Sequence, residues 1–251
     1  MAISRAQLAK ELEPGLNALF GMEYSRYENQ HAEIFTTESS DRAFEEEVML
    51  SGFGAAPTKS EGSAVNFDDA ASVLNNAFTG GASAGGDGVA LCSTAHPLTN
   101  GGTFANRPVT AADLNETSLE DALINIAGFV DERGLKVALR GLKLVIPRQS
   151  QFIAERLMVS NLRVGTADND TNAIRSMGML PEGYAVNDFL TDPDHFFVMS
   201  DAPRGMIHFE RTPLSTNMEG DFDTGNMRFK ARERYSFGFS DPRCIYGSPG
   251  A

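Results

Sequence analysis

Cys92, Ser93 and His96 are the residues of this chain whose types and spacing come nearest to chemistry. A Cys-x-x-x-His spacing can contribute two metal ligands. A structural zinc site takes four, and only Cys244 and the scattered His31, His195 and His208 remain to complete one. A Cys–His or Ser–His nucleophile pair needs contact in space and an orienting carboxylate, neither of which spacing alone supplies. The expectation is a loop histidine before Pro97. Gly81-Ala82-Ser83-Ala84-Gly85 matches the Gly-x-Ser-x-Gly elbow. That motif needs a strand before the serine and a helix after it, whereas here a helical piece precedes and further glycines follow. A mobile loop is the better reading. The glycine-rich run from Gly80 to Gly88 contains no lysine, so it lacks the phosphate-gripping group of a Walker loop. No dinucleotide fingerprint and no His-Glu-x-x-His occurs. The chain is therefore expected to have no catalytic residues, no cofactor and no metal.

The charge pattern is more informative. From Met227 to Phe239, apolar Met227, Phe229, Ala231, Tyr235, Phe237 and Phe239 alternate with Arg228, Lys230, Arg232, Arg234 and Ser236. A period of two is the signature of a strand with one apolar and one basic face, and Glu233 is the one charge on the apolar side. The basic face is open to three readings. It is a solvated surface, a contact with an acidic surface such as Glu45-Glu46-Glu47 of a neighbouring copy, or a contact with DNA phosphates. A formal net charge of -13 works against general nucleic-acid binding, which needs clustered Lys and Arg.

The elements that must position these groups follow from periodicity. In 251 residues, 41% are hydrophobic, enough for a packed core without disulfide staples. The two cysteines form no framework, which points to a reducing compartment. The first ten residues have no apolar stretch of signal-peptide length, and no run is long enough to span a bilayer. Ser4 caps an expected helix carrying Leu8, Leu12, Leu16 and Leu19, interrupted by Pro14. His31 to Asp69 reads as an extended polar arm, with short strands at Ile34-Phe35 and Val48-Met49-Leu50. Ala71 to Phe78 is a short helix. Ser118 is expected to cap a helix with Asp121 at its third position, an apolar face of Leu119, Leu123, Ile126 and Val130, and an end at Gly134. Leu142 to Ile146 is a buried strand stopped by Pro147. Gln149 to Met158 is helical with Phe152, Ile153 and Leu157 inward. Strands follow near Tyr184 to Val186, Phe196 to Met199 and Met206 to Phe209. Helices and strands in this order predict an α+β fold.

Three stretches taken in order resemble a known family. They are Ala32-Glu33-Ile34-Phe35 through Phe44-Glu45-Glu46-Glu47 to Asp68-Asp69; Cys92-Ser93-Thr94-Ala95-His96-Pro97 with Gly101-Gly102 and Asn106-Arg107-Pro108; and Arg232-Glu233-Arg234-Tyr235-Ser236-Phe237-Gly238-Phe239 with Asp241-Pro242-Arg243-Cys244-Ile245-Tyr246-Gly247. Together they resemble the Mu-like major head subunit family, within the tailed-phage (tailed bacteriophage) major capsid proteins. The resemblance implies the capsid fold: an N-terminal arm over 1–31, an extended loop over 32–70, a peripheral domain from 71–118 and 210–251, and an axial domain over 119–209. The loop's return strand and most of the spine helix look absent, since Asp69 and Ala71 stand only one residue apart. The implied function is a structural head protein that self-assembles, as hexamers and pentamers, into an icosahedral shell around viral DNA. Scaffold, portal and decoration proteins are the implied further partners, and the virion, assembled in host cytoplasm, the implied location. No membrane and no sequence-specific DNA contact is implied. Glu45, Glu46, Glu47, Arg228, Lys230, Arg232 and Arg234 are the candidate assembly contacts. A non-viral compartment shell of the same fold is the alternative, with a Ser or Cys hydrolase behind it.

Overall fold

The run Leu144-Val145-Ile146 is apolar without alternation, the pattern of a strand covered on both faces. It lies at the centre of a sheet. The structure, a computed structural model, describes residues 34–39, 70–80, 84–163, 170–203, 205–220 and 227–251. In chain order the elements are β1 (Thr36–Ser39), α1 (Ala70–Asn75), β2 (His96–Pro97), β3 (Thr103–Phe104), α2 (Glu116–Ala127), β4 (Gly141–Pro147), α3 (Gln151–Val159), α4 (Ala173–Met177), β5 (Tyr184–Asn187), β6 (Phe196–Ser200), β7 (Met206–Gly220), β8 (Met227–Phe239) and β9 (Ile245–Ser248). The fold is α+β.

The chain divides into two units, one of Met1–Phe44 with His208–Ser236, the other of Glu45–Ile207 with Phe237–Ala251. In the second unit the sheet order is β5-β4-β6-β9. β4 runs parallel to β5 and antiparallel to β6, with Val145 opposite both Ala185 and Phe197. β6 runs antiparallel to β9, with Val198 opposite Tyr246. Leu144, Ile146, Phe196, Val198 and Tyr246 pack with Leu119, Ala122, Leu123 and Ile126 of α2 into one core. The helix comes close because Gly141 has no side chain: a Cβ there would lie 2.6 Å from Leu123 Cδ2. A separate sheet has the order β1-β7-β8.

Several sequence expectations hold. β8 has the predicted bounds, and α1, β4, β5 and β6 form where expected, within a few residues. Others are corrected. α2 is capped by Asn115, not by Ser118 with Asp121. The Asn115 side-chain oxygen accepts from the Ser118 N–H at 2.9 Å, and the Ser118 hydroxyl accepts from the Asn115 N–H at 2.9 Å. Ser118 is thus the third helical residue of a capping box whose first member lies one turn earlier. The helix ends at Gly128 rather than Gly134. Gly134, at φ +84°, instead closes a turn with Asp131, between the bridged residues Val130 and Lys136. Asn115→Ala is expected to lower stability by about 1 kcal/mol, read as a shift in the urea midpoint.

α3 corrects a second expectation. Its buried residue is Ala154, and Phe152 is 75% exposed. Two positions turn a helix by about 200°, so burying Ala154 drives Phe152 outward. Ile153 is also exposed, while Leu157 does pack inward as expected. Ile34 and Phe35 are buried, but the ladder forms just beyond them, at Thr36–Ser39. β7 continues eleven residues past the expected Phe209, to Gly220. In β8 the alternation fails at the end: Tyr235 is 41% exposed and Phe237 to Phe239 are all buried. The Ser4 helix, Val48 to Leu50 and most of the 32–70 loop, including its shortened junction up to Asp69, lie outside the described residues.

Candidate functional site

The residues that looked most chemical converge, but around Asn106 rather than around Cys92. The β2–β3 hairpin sets His96 opposite Phe104. The two rings stack with centroids 4.7 Å apart, and Asn106 follows two residues later. Asn106 is completely buried. Its side-chain amide nitrogen donates to the carbonyls of Leu91 at 2.7 Å, Pro242 at 2.9 Å and Ile245 at 3.1 Å. Its side-chain oxygen accepts from the Ser93 N–H at 2.8 Å and lies 3.0 Å from His96 Nε2. Its backbone N–H donates to the Ser93 carbonyl, and its carbonyl accepts from Gly247. One side chain thus ties the loop after α1, the hairpin and the C-terminal segment together.

His96 is 1% exposed, and its Nδ1 lies 2.6 Å from Asp87 Oδ2. The Asp87 side chain is held in turn by the Val89 N–H at 3.2 Å. Burial alone would raise the Asp87 carboxyl, but its hydrogen bonds to His96 and Val89 and the histidine's charge hold it below its ordinary value. On the far side of the hairpin, Arg243 lies 4.9 Å from the Phe104 ring. Its guanidinium donates to the Val130 carbonyl at 2.6 Å and pairs with Asp241 at 3.0 Å.

This arrangement does not make a nucleophile. Both ring nitrogens of His96 are engaged by Asp87 and Asn106, so His96 forms no pair with Cys92. Cys92 is wholly buried, and burial pushes its thiol well up, weakly opposed by Arg107. The thiolate is the reactive form, so this thiol is inert. Cys244 is raised in the same way, by burial first and then by Asp241 and Cys92. The Ser93 hydroxyl accepts from the Ala95 N–H at 3.2 Å in a local turn. Ser83 and His31 lie outside the described residues. His195 sits edge-on to Phe78 and near Asp192, with its Nδ1 buried and unpartnered. Burial lowers its pKa, partly offset by Asp192 and Asp194. His208 is buried in β7 against Tyr235. Among the described residues, no three His, Cys, Asp or Glu side chains converge on a common point. No described helix is long and apolar enough to cross a membrane.

The basic strand is described in part. Arg228, Lys230, Arg232 and Arg234 all lie in β8, and Arg232 and Arg234 are exposed. The Arg232 carbonyl accepts from the Ser215 hydroxyl of β7 at 3.2 Å. Glu45, Glu46 and Glu47 lie outside the described residues. Sequence reasoning missed Asp87, Asn106 and Arg243 as site residues. Asn106 and Arg243 stood within the stretches quoted for the family resemblance, whereas Asp87 sits in a glycine-rich run with nothing to mark it.

No protein-family model matches the sequence, and no curated protein matches it. Among solved structures, the chain is similar to a virus-like particle from Pyrococcus furiosus, at 11% identity and a TM-score of 0.37 over 57% of this chain and 55% of that one. It is similar to the capsid of the myovirus phage XM1, at 10% identity and a TM-score of 0.39 over 57% of this chain and 48% of that one. It is also similar to the capsid of an empty GTA particle, at 17% identity and a TM-score of 0.36 over 70% of this chain and 58% of that one. The chain thus spans roughly half the length of these capsid and particle chains.

Proposed function

We propose that this chain is a structural shell subunit, a major capsid protein of the tailed-phage type and of the Mu-like branch within it. It assembles with copies of itself into a closed icosahedral shell around DNA. One observation carries the reading. Two of the stretches that resemble the family, Cys92 to Pro108 and Asp241 to Gly247, are tied to each other through Asn106, which bonds to Pro242, Ile245 and Gly247, and through Arg243, which lies over the Phe104 ring. Their distinctive residues are engaged in holding segments together, which agrees with a structural role. The likeness to capsid chains agrees with this reading without adding weight to it.

In this reading the arm over 1–31 and the loop over 32–70 lie on neighbouring subunits, 71–118 with 210–251 forms the peripheral domain, and 119–209 forms the axial domain. Hexamers and pentamers follow from heterologous contacts whose rotations close. Arg228, Lys230, Arg232 and Arg234 meet an acidic surface such as Glu45 to Glu47 of the next copy. The net charge of -13 keeps the shell wall from gripping the enclosed genome. Portal, scaffold and decoration proteins are the further partners, and the virion, assembled in host cytoplasm, is the location.

The test is negative-stain electron microscopy with size-exclusion chromatography on the purified chain. Closed shells or ring-shaped capsomers are expected. A chain that stays monomeric, even after a return strand and spine helix are restored at Ala70, overturns the proposal. Arg232→Glu with Arg234→Glu is expected to abolish shells while leaving the monomer folded. Unchanged assembly would make the basic strand a solvated face.

A further inference from the structure

Asp121 is not needed at the cap of α2, since Asn115 and Ser118 cap the helix between themselves. Instead it lines a cleft of about 210 Å³ with Thr110, Thr117, Phe196, Tyr246 and Ser248. All of these residues belong to the second unit. The sheet register sets the floor. Phe196 of β6 stands opposite Ser248 of β9, and Tyr246 lies two residues before Ser248, so all three share the face that α2 covers.

Two of these side chains carry hydrogen-bonding capacity that the chain leaves unused. The Asp121 carboxylate makes no hydrogen bond and no ion pair among the described residues. The Tyr246 hydroxyl makes no hydrogen bond among them either, although the residue is only 3% exposed. A tyrosine so deeply buried ordinarily finds a partner for its hydroxyl, and here the cleft is where one can reach it. The two groups act on each other only through space. Burial first, then the Asp121 charge and Cys92, push the Tyr246 phenol up to about 12, so it stays neutral. The neighbouring polar groups are already engaged. The Ser248 hydroxyl donates to the Ala112 carbonyl at 2.6 Å and accepts from the Ala112 N–H at 3.3 Å. The Ser118 N–H at the helix end is taken by the Asn115 side chain, which closes that end to an anion. Glu116, the other acid of the first turns, is paired with Arg163 at 2.6 Å. No Lys, Arg or His lines the cleft.

We propose that this cleft binds a primary ammonium or guanidinium group. Asp121 is the counter-ion, the Tyr246 hydroxyl is a second acceptor, and the Phe196 and Tyr246 rings pack against the alkyl stem. The volume lies below the range of drug-sized ligand pockets and suits one long cationic side chain or one small amine. That group has two sources, a Lys or Arg side chain of a neighbouring copy or a free organic cation.

The test is NMR of the full chain with ¹³C-labelled tyrosine. It is titrated at fixed ionic strength with n-butylammonium and ethylguanidinium ions, and with n-butanol as the neutral control. The sequence has five tyrosines, and the Tyr246 signals are assigned by their loss in Tyr246→Phe. Both cations are expected to move the Tyr246 ring signals saturably and to bind about tenfold more tightly than n-butanol. Asp121→Asn is expected to weaken both cations about tenfold and to leave n-butanol unchanged. Equal binding of cations and n-butanol, or cation binding unchanged in Asp121→Asn, overturns the site. Tyr246→Phe is expected to keep its Tm within about 2 °C, because the hydroxyl has no partner in the chain to lose. A fall of more than about 5 °C would place the hydroxyl in a bond within the chain and overturn its part as acceptor. Chain concentration separates the sources. If a neighbouring copy fills the cleft, the cations bind more weakly as the chain is concentrated, and Asp121→Asn reduces self-association in size-exclusion chromatography. If a free cation fills it, binding is the same at every chain concentration.

Discussion

Asn106→Ala is expected to lower the stability of the second unit by about 4 kcal/mol, the largest effect of any single polar substitution proposed for this chain. The change strips the partner from the Leu91, Pro242 and Ile245 carbonyls, from the Ser93 N–H and from His96 Nε2. Each buried polar group left without a partner costs about 1–3 kcal/mol, and partial rearrangement or entry of water recovers some of the sum. Urea denaturation reads the loss directly. Hydrogen exchange adds a local signature: the amide of Ser93, which donates to the Asn106 side chain, should lose protection first. Asn106→Asp separates the roles. It keeps an acceptor for Ser93 and His96 but sets a carboxylate against three carbonyls, so it should destabilise nearly as much. A loss below about 1 kcal/mol for both variants would mean that the hub is not what holds these segments.

The second large effect is steric. Gly205→Ala is expected to destabilise the chain by about 3 kcal/mol, because a Cβ there would lie 2.0 Å from Cys244 Cβ and 3.3 Å from its Cα. The encounter is with the base of the cysteine, not with the end of a flexible side chain. The backbone has little room to move, since the Gly205 carbonyl accepts from the Ser240 N–H at 3.0 Å. Cys244→Ala should therefore give no relief, while Cys244→Gly in the Gly205→Ala background should recover much of the loss. The double-mutant cycle measures the coupling. Additive losses would show that the two positions do not touch. A second contact of this kind lies at Gly247, where a Cβ would meet Cys92 Sγ at 2.7 Å and Phe197 Cδ1 at 2.8 Å. Both cysteines are thus small buried packing residues whose neighbours have been reduced to glycine, which agrees with their raised, unreactive thiols.

The elements differ in how far the sequence alone could place them, and the reason is distance along the chain. β4 was legible because a continuous apolar run reports burial on both faces, and β8 because alternation reports a strand with two unlike faces. Both signals are local. The cap of α2 was misplaced by one turn because Asn115 and Ser118 are each good cap residues, and only their reciprocal hydrogen bonds decide between them. Phe152 was placed inward because an apolar residue on a helix is expected to find the core. Ala154 won that face, and the helix period sent Phe152 outward.

The sequence by itself therefore determined the α+β class, the central apolar strand, the strand from Met227 to Phe239 and the acidic balance, since each is carried by neighbours in the chain. The tertiary structure alone decided what His96 does. It brought Asp87 to one nitrogen and Asn106 to the other, and it tied Asn106 to Pro242 and Ile245. Those partners lie 136 and 139 residues away, beyond any local pattern. A buried polar group must find hydrogen bonds wherever the packed segments offer them, and only the folded chain determines which segments those are.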